Sequence, residues 1–114
     1  MPDTSLNLTR MSRFLEVLTK ETTGVTMTTE MVQILLELYS YKEMSQQSLM
    51  RTIGTAKTTH SRHLAKLSVG ENPLARNGPG WVESYEDAVD RRTKLVRLTP
   101  RGRALIDRVT EAVH

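Results

Sequence analysis

Two short stretches of this 114-residue sequence concentrate side chains that could do chemistry. The first, "TAKTTHSRH" at 55–63, sets hydroxyls, cations and two histidines within a few helical turns. The second, "DRRTKLVRLTPRG" at 90–102, alternates cations with Leu95, Val96 and Leu98. Ser61 beside His60 and His63 has the residue types of a nucleophile–base pair, but no carboxylate lies within sequence reach to orient the base. His60 and His63 are three apart, a spacing that metal ligands use, yet there is no cysteine to join them, and His60 falls on the apolar side of its helix. No glycine-rich phosphate loop follows a strand. The expectation is a protein that is not an enzyme, with no catalytic residue, no metal and no cofactor.

What remains is recognition of a polyanion. Thr58, Thr59 and Ser61 are short, can donate or accept hydrogen bonds, and let a helix lie close to a duplex; Arg62 is the long cation able to reach a base edge or a phosphate. Thr55 and Lys57, near the helix start, suit phosphate, helped by the unpaired N–H groups there. An exposed helix face without a partner would favour Glu, Lys and Ala over Ser and Thr, which are weaker helix formers. In the second stretch the apolar residues anchor a hairpin while the cations face outward. Arg97, Arg101 and Arg103 could add phosphate contacts or complement Glu83 and Asp107; the residue types favour neither.

The elements that must position these groups follow from periodicity and caps. Leu8, Met11, Phe14, Leu15 and Leu18 recur at helical spacing before Gly24, predicting a helix over about 5–20. Thr28 caps a second helix over 29–41, striped by Met31, Ile34, Leu35 and Leu38. Ser45 caps a short helix closed by Ile53-Gly54, and Thr55 is expected to cap the next, with His60, Leu64 and Leu67 inward. Together 45–67 read as a helix-turn-helix. "SVGENPLARNGPG" reads as a loop. "WVESY" and "TKLVRL" read as two strands of a wing over about 81–98, with Val96 and Leu98 inward and Thr93 and Arg97 outward. Thr99-Pro100 opens a last helix over 100–113, striped by Leu105, Ile106, Val109, Ala112 and Val113. The fold class is mainly α with a two-stranded β-hairpin, a winged helix-turn-helix in a single domain over 1–114.

Composition agrees with that scale. At 38% hydrophobic and 25% charged the chain is ordinary for one folded domain, and its few aromatics leave the core to Leu, Val, Ile and Met. Tyr39, Tyr41 and Trp81 are expected in core or hairpin packing. The absence of cysteine excludes disulfides and thiolate zinc sites. No apolar run approaches the roughly 20 residues of a membrane span, and "MPDTSLNLTR" lacks a secretion signal, so the expected location is cytoplasmic, away from membranes. The net charge of +3 is unevenly spread: between Lys57 and Arg103 ten cations face five anions, while the rest is net acidic. A regional basic excess is what a face meeting nucleic acid needs.

Three segments resemble the MarR family of bacterial winged-helix transcription regulators. "MTTEMVQILLEL" is similar to the family's helix entry, "IGTAKTTHSRHLAKL" to its recognition helix, and "DRRTKLVRLTPRG" to its wing and following helix start. The resemblance spans Met27 to Leu105 in the family's order. It implies sequence-specific binding of double-stranded DNA, with the recognition helix in the major groove. It further implies that Arg92 enters the minor groove, Asp90 orients its guanidinium, and Arg91 and Lys94 meet phosphates. Two departures stand out: "ENPLARNGP" is inserted after Gly70, and the chain ends one helix short of the family's C-terminal pair. A homodimer is implied, its natural surfaces being the stripes of the first and last helices unless the core consumes them. No residue pattern supports a small-molecule effector. The competing reading is a winged-helix module that docks on an acidic protein of a transcription or replication complex through its basic wing.

Overall fold

The computed structural model describes residues 3–68 and 78–113. Its elements run α1 (Thr4–Glu21), α2 (Thr29–Ser40), β1 (Met44–Ser45), α3 (Gln46–Ile53), α4 (Lys57–Leu67), β2 (Val82–Glu86), β3 (Lys94–Leu98) and α5 (Pro100–Glu111). The predicted loop after α4 falls mostly outside the described residues, as do Glu71 and Arg76.

Caps account for most helix starts. The Thr28 hydroxyl accepts from the Met31 N–H at 3.2 Å, and Ser45 accepts from the Ser48 N–H at 3.1 Å. Thr99 accepts from the Gly102 N–H at 3.1 Å, with Pro100 in the first helical turn. Each satisfies one of the N–H groups that a helix leaves unpaired. α4 departs from expectation. Its N-cap is Ala56, which offers no side-chain hydrogen bond, and Thr55 Oγ1 is buried without a partner among the described residues. The turn between α3 and α4 places Gly54 at φ 80°, and that left-handed backbone admits glycine without steric penalty. The Gly54 N–H, used to close α3, donates to Met50 O at 2.7 Å.

The sheet differs from a two-stranded hairpin. β3 is central, antiparallel to β2 on one side and to the two residues of β1 on the other, in the order β1-β3-β2. Met44 and Ser45 carry no period long enough to mark a strand, so the pairing with Val96 and Leu95 is a tertiary event. A strand this short is made by its partner.

The core is assembled from one face of each element. Met31, Ile34, Leu35 and Leu38 of α2, Leu49 of α3, Leu64 and Leu67 of α4, Trp81 and Val82, Val96 and Leu98 of β3, and Leu105, Ile106 and Val109 of α5 are all buried. The alternation expected on β3 is therefore present, with Arg97 exposed between two buried residues. The two candidate dimer stripes differ. On α5 Leu105, Ile106 and Val109 are consumed by the core, while Ala112 and Val113 are half-buried. On α1 Leu18 is buried and Phe14 packs against the core, whereas Leu8, Met11 and Leu15 are 55–61% exposed. α1 reaches the body through α5, where Arg108 donates to Glu21 at 3.1 Å.

A short backbone relay fixes the wing to the helices. The Trp81 N–H donates to Leu67 O at 2.8 Å at the end of α4, and the Thr99 N–H donates to Trp81 O at 3.0 Å at the start of α5. Gly102 lies so close that a β-carbon would overlap the Trp81 carbonyl. The first turn of α5 thus rests directly on the strand entering the wing.

Candidate nucleic-acid interface

On α4 the apolar and polar residues separate by helical phase. His60, His63, Leu64 and Leu67 are buried, while Lys57, Thr58, Ser61 and Arg62 are exposed on the opposite side. Thr59 is half-buried at the boundary. Thr55 is the exception among the predicted contacts. Its hydroxyl is buried and its N–H donates to Met50 O at 3.2 Å, leaving neither group to meet a ligand.

The wing tip is organised by Asp90. One carboxylate oxygen accepts from the Arg92 N–H at 3.1 Å, and the other from the Thr93 hydroxyl at 3.2 Å. The Thr93 N–H also donates to Asp90 O at 2.9 Å. This is the side-chain-to-backbone pattern by which aspartate stabilises a tight turn. The same carboxylate lies 3.6 Å from Arg92 Nε, while the arginine side chain is 95% exposed. Asp90 therefore shapes the loop and stands beside the guanidinium at once. Arg91 and Lys94 are exposed.

Arg97 has a different assignment. It donates to Glu83, directly across the β2–β3 ladder, at 2.6 Å, and its guanidinium lies 4.3 Å from the centre of the Tyr85 ring. Tyr85 in turn bonds Glu43. Arg103 sits 4.6 Å above the Tyr39 ring, and Asp107 accepts the Tyr39 hydroxyl at 2.5 Å. That hydrogen bond and the carboxylate's charge hold the Tyr39 phenol above its ordinary value. Arg97 thus complements Glu83 as one alternative foresaw, but Asp107 takes a tyrosine rather than an arginine. Trp81 is in the core, and Tyr39 packs against it; Tyr41, expected there too, is 57% exposed.

Helix and wing flank one open groove of about 480 Å³. Ser61, Leu64 and Ala65 of α4 line one side, Ser84 and Lys94 of the wing line the other, and Gln46 at the start of α3 also lines it. Two of the sequence-predicted residues, Ser61 and Lys94, thus share one concavity though they are 33 positions apart. Gln46 and Ser84 had no signal in the sequence. A polar residue opening a helix and a serine in a strand are ordinary, and only the meeting of α3, α4 and the sheet distinguishes them. Among the described residues no group of three or more His, Asp or Glu could hold a metal ion.

The model of a winged helix DNA-binding domain matches residues 27–102, two thirds of the chain. The chain belongs to this winged helix DNA-binding family. A comparison with curated proteins finds no match. Among solved structures the winged helix is similar to RV1404 from Mycobacterium tuberculosis, with a TM-score of 0.75 and 17% identity over 96% of this chain and 67% of that one. It is similar to NadR in complex with 4-hydroxyphenylacetate, with a TM-score of 0.70 and 19% identity over 94% and 67%. It is also similar to a cysteine-to-serine mutant of MarR from E. coli complexed with operator DNA, with a TM-score of 0.67 and 20% identity over 96% and 69%. The chain spans about two thirds of the length of each. The resemblance to the MarR type therefore holds at the level of the fold, and it includes α1, which lies outside the matched domain. No described helix is long and apolar enough to cross a membrane.

Proposed function

We propose that this winged helix is a sequence-specific, double-stranded DNA-binding transcription regulator of the MarR type, acting as a cytoplasmic homodimer. The single observation that carries the reading is the groove shared by α4 and the wing, with Ser61 on one wall and Lys94 on the other. A hydroxyl-bearing helix and a basic hairpin on one concavity suit a duplex, whose major groove admits a helix and whose backbone then runs toward the wing. Thr58, Ser61 and Arg62 are assigned to the major groove, with Thr59 at the margin and Lys57 on phosphate. Arg92 is assigned to the minor groove, where negative potential is concentrated. Asp90 positions it, and Arg91 and Lys94 take phosphates. Thr55 leaves the contact set because its polar groups are turned inward. The dimer is assigned to α1, whose exposed Leu8, Met11 and Leu15 form the unpartnered apolar stripe, and the whole described chain is taken as one functional domain.

Selection from random duplexes followed by an Arg62→Ala comparison tests this reading. The parent should enrich a sequence whose affinity falls steeply with salt. Arg62→Ala should weaken the selected duplex by about 1–3 kcal/mol and relax preference at one position. Equal losses on every sequence would move Arg62 to phosphate. A parent with no duplex affinity near roughly 100 mM salt would transfer the basic wing to an acidic protein partner.

A further inference from the structure

α4 carries two buried histidines that the DNA reading does not use. His60 is 1% exposed and His63 is 7% exposed, and no nitrogen of either ring has a hydrogen-bond partner among the described residues. Buried polar groups are ordinarily paired, so four unpaired ring nitrogens beneath one helix are a concentrated liability. The two rings are not equivalent. His63 Nε2 lies 3.6 Å from Glu30 Oε1 at the start of α2, so a proton on His63 has a counter-charge. A proton on His60 has none, and would sit beside His63.

The surrounding charges leave this asymmetry intact. On α2, Glu30 is the carboxylate at the pair; Tyr39 is turned to Asp107 of α5, and Glu37 lies two turns farther along. On β2, Glu83 is committed to Arg97 and Tyr85 to Glu43, with Glu86 at the strand's far end. On α4 itself Lys57, Arg62 and Lys66 are exposed and carry the wrong sign to help. The helix also has little else to hold its start. It lacks a side-chain cap, has no acidic residue in its first turn, and places Lys57 there against the helix dipole.

We infer that His60 and His63 form an acid-sensitive latch beneath α4: with Glu30 beside His63 and no carboxylate beside His60 among the described residues, a proton on His60 detaches α4 from α2 and disorders the hydroxyl-bearing face above it. Burial, and secondly the neighbouring His63, hold His60 below the ordinary 6.5. A lowered folded value means that the detached helix binds the proton more readily. Stability is therefore whole above 6.5 and falls as pH drops from there toward the folded value. The consequence for DNA rests on the function proposed above, but the latch is a property of the protein alone and is tested without DNA.

The test is urea unfolding of the full chain between about pH 8 and pH 5, for the parent, His60→Leu and His63→Leu, with ring titrations followed by NMR. His60 in the parent should titrate below 6.5 and move upward in His63→Leu. Relative to His60→Leu, the parent's unfolding constant should rise below that value, by up to about tenfold per pH unit for each proton taken up. Amide exchange at acid pH, corrected for intrinsic rates, should open α4 ahead of α5. A His60 ring titrating at or above 6.5, parallel unfolding profiles in parent and His60→Leu, or equal loss of protection in α4 and α5 would each overturn the latch. The ring titration on the parent keeps the test decisive if a variant does not fold. Duplex affinity across the same pH range is measured separately, and its failure would count against the DNA reading alone.

Discussion

Arg92 and Arg97 lie five residues apart on the same wing, yet the structure gives them opposite consequences when removed. Arg92 is 95% exposed, and its one side-chain partner among the described residues, Asp90, stands at 3.6 Å. Such an exposed pair contributes about 0–1 kcal/mol to folding. The Asp90 contacts that shape the turn go to the Arg92 backbone and to Thr93, so Arg92→Ala leaves them in place. Unfolding free energy should change by less than about 0.5 kcal/mol. Binding should not be spared. With Arg92 placed in a narrow groove as proposed, loss of its charge should weaken a selected duplex by about 1–3 kcal/mol, and the log–log salt slope should become shallower by up to about one unit. Arg97 is 47% exposed, bonds Glu83 at 2.6 Å and covers the Tyr85 ring. Arg97→Ala should lower stability by about 0.5–1.5 kcal/mol through the lost pair and ring contact, while affinity changes little. The assay is fluorescence anisotropy of a labelled duplex between about 50 and 200 mM salt, beside thermal unfolding of each variant. If Arg97→Ala abolished binding and Arg92→Ala bound as the parent does, the assignment of the two arginines would be refuted.

Two further perturbations probe the scaffold. Gly102→Ala should destabilise the domain by about 1–3 kcal/mol, because the new methyl group must displace the Trp81 carbonyl that joins wing to α5. A melting temperature equal to the parent's would show that this approach is looser than described. Leu8→Glu combined with Met11→Glu should convert a dimer to monomer in sedimentation without loss of helix content, since both side chains are mostly exposed on α1. A dimer that survives would place the subunit contact elsewhere.

The order of helices, the helix-turn-helix and the wing could be read from the chain because each is announced locally. Thr28, Ser45 and Thr99 satisfy helix N–H groups within three residues, Gly54 takes a left-handed turn, and Val96 and Leu98 alternate with Arg97. Short-range hydrogen bonds and side-chain periodicity act over one or two turns, so sequence spacing carries them. The exposed residues of α4 were legible for the same reason: Leu64 and Leu67 set the phase of the helix, and Lys57, Thr58, Ser61 and Arg62 follow on the other face.

What needed three dimensions was every question of which face meets what. α1 and α5 carry similar apolar stripes, yet one is largely open and the other is core, because α5 packs against both α2 and the sheet while α1 leans mainly on α5. Thr55 has an N-cap's residue type but lies one position early, its hydroxyl buried without a partner among the described residues. Arg97 and Arg92 are alike as letters; only the β2–β3 register sets Glu83 opposite one of them. The burial of His60 and His63, and the approach of Glu30 to His63 alone of the two, likewise depend on how α4 lies on α2. Local chemistry chooses an element and its inner face, whereas partners brought from distant positions choose which of the remaining charges stay free.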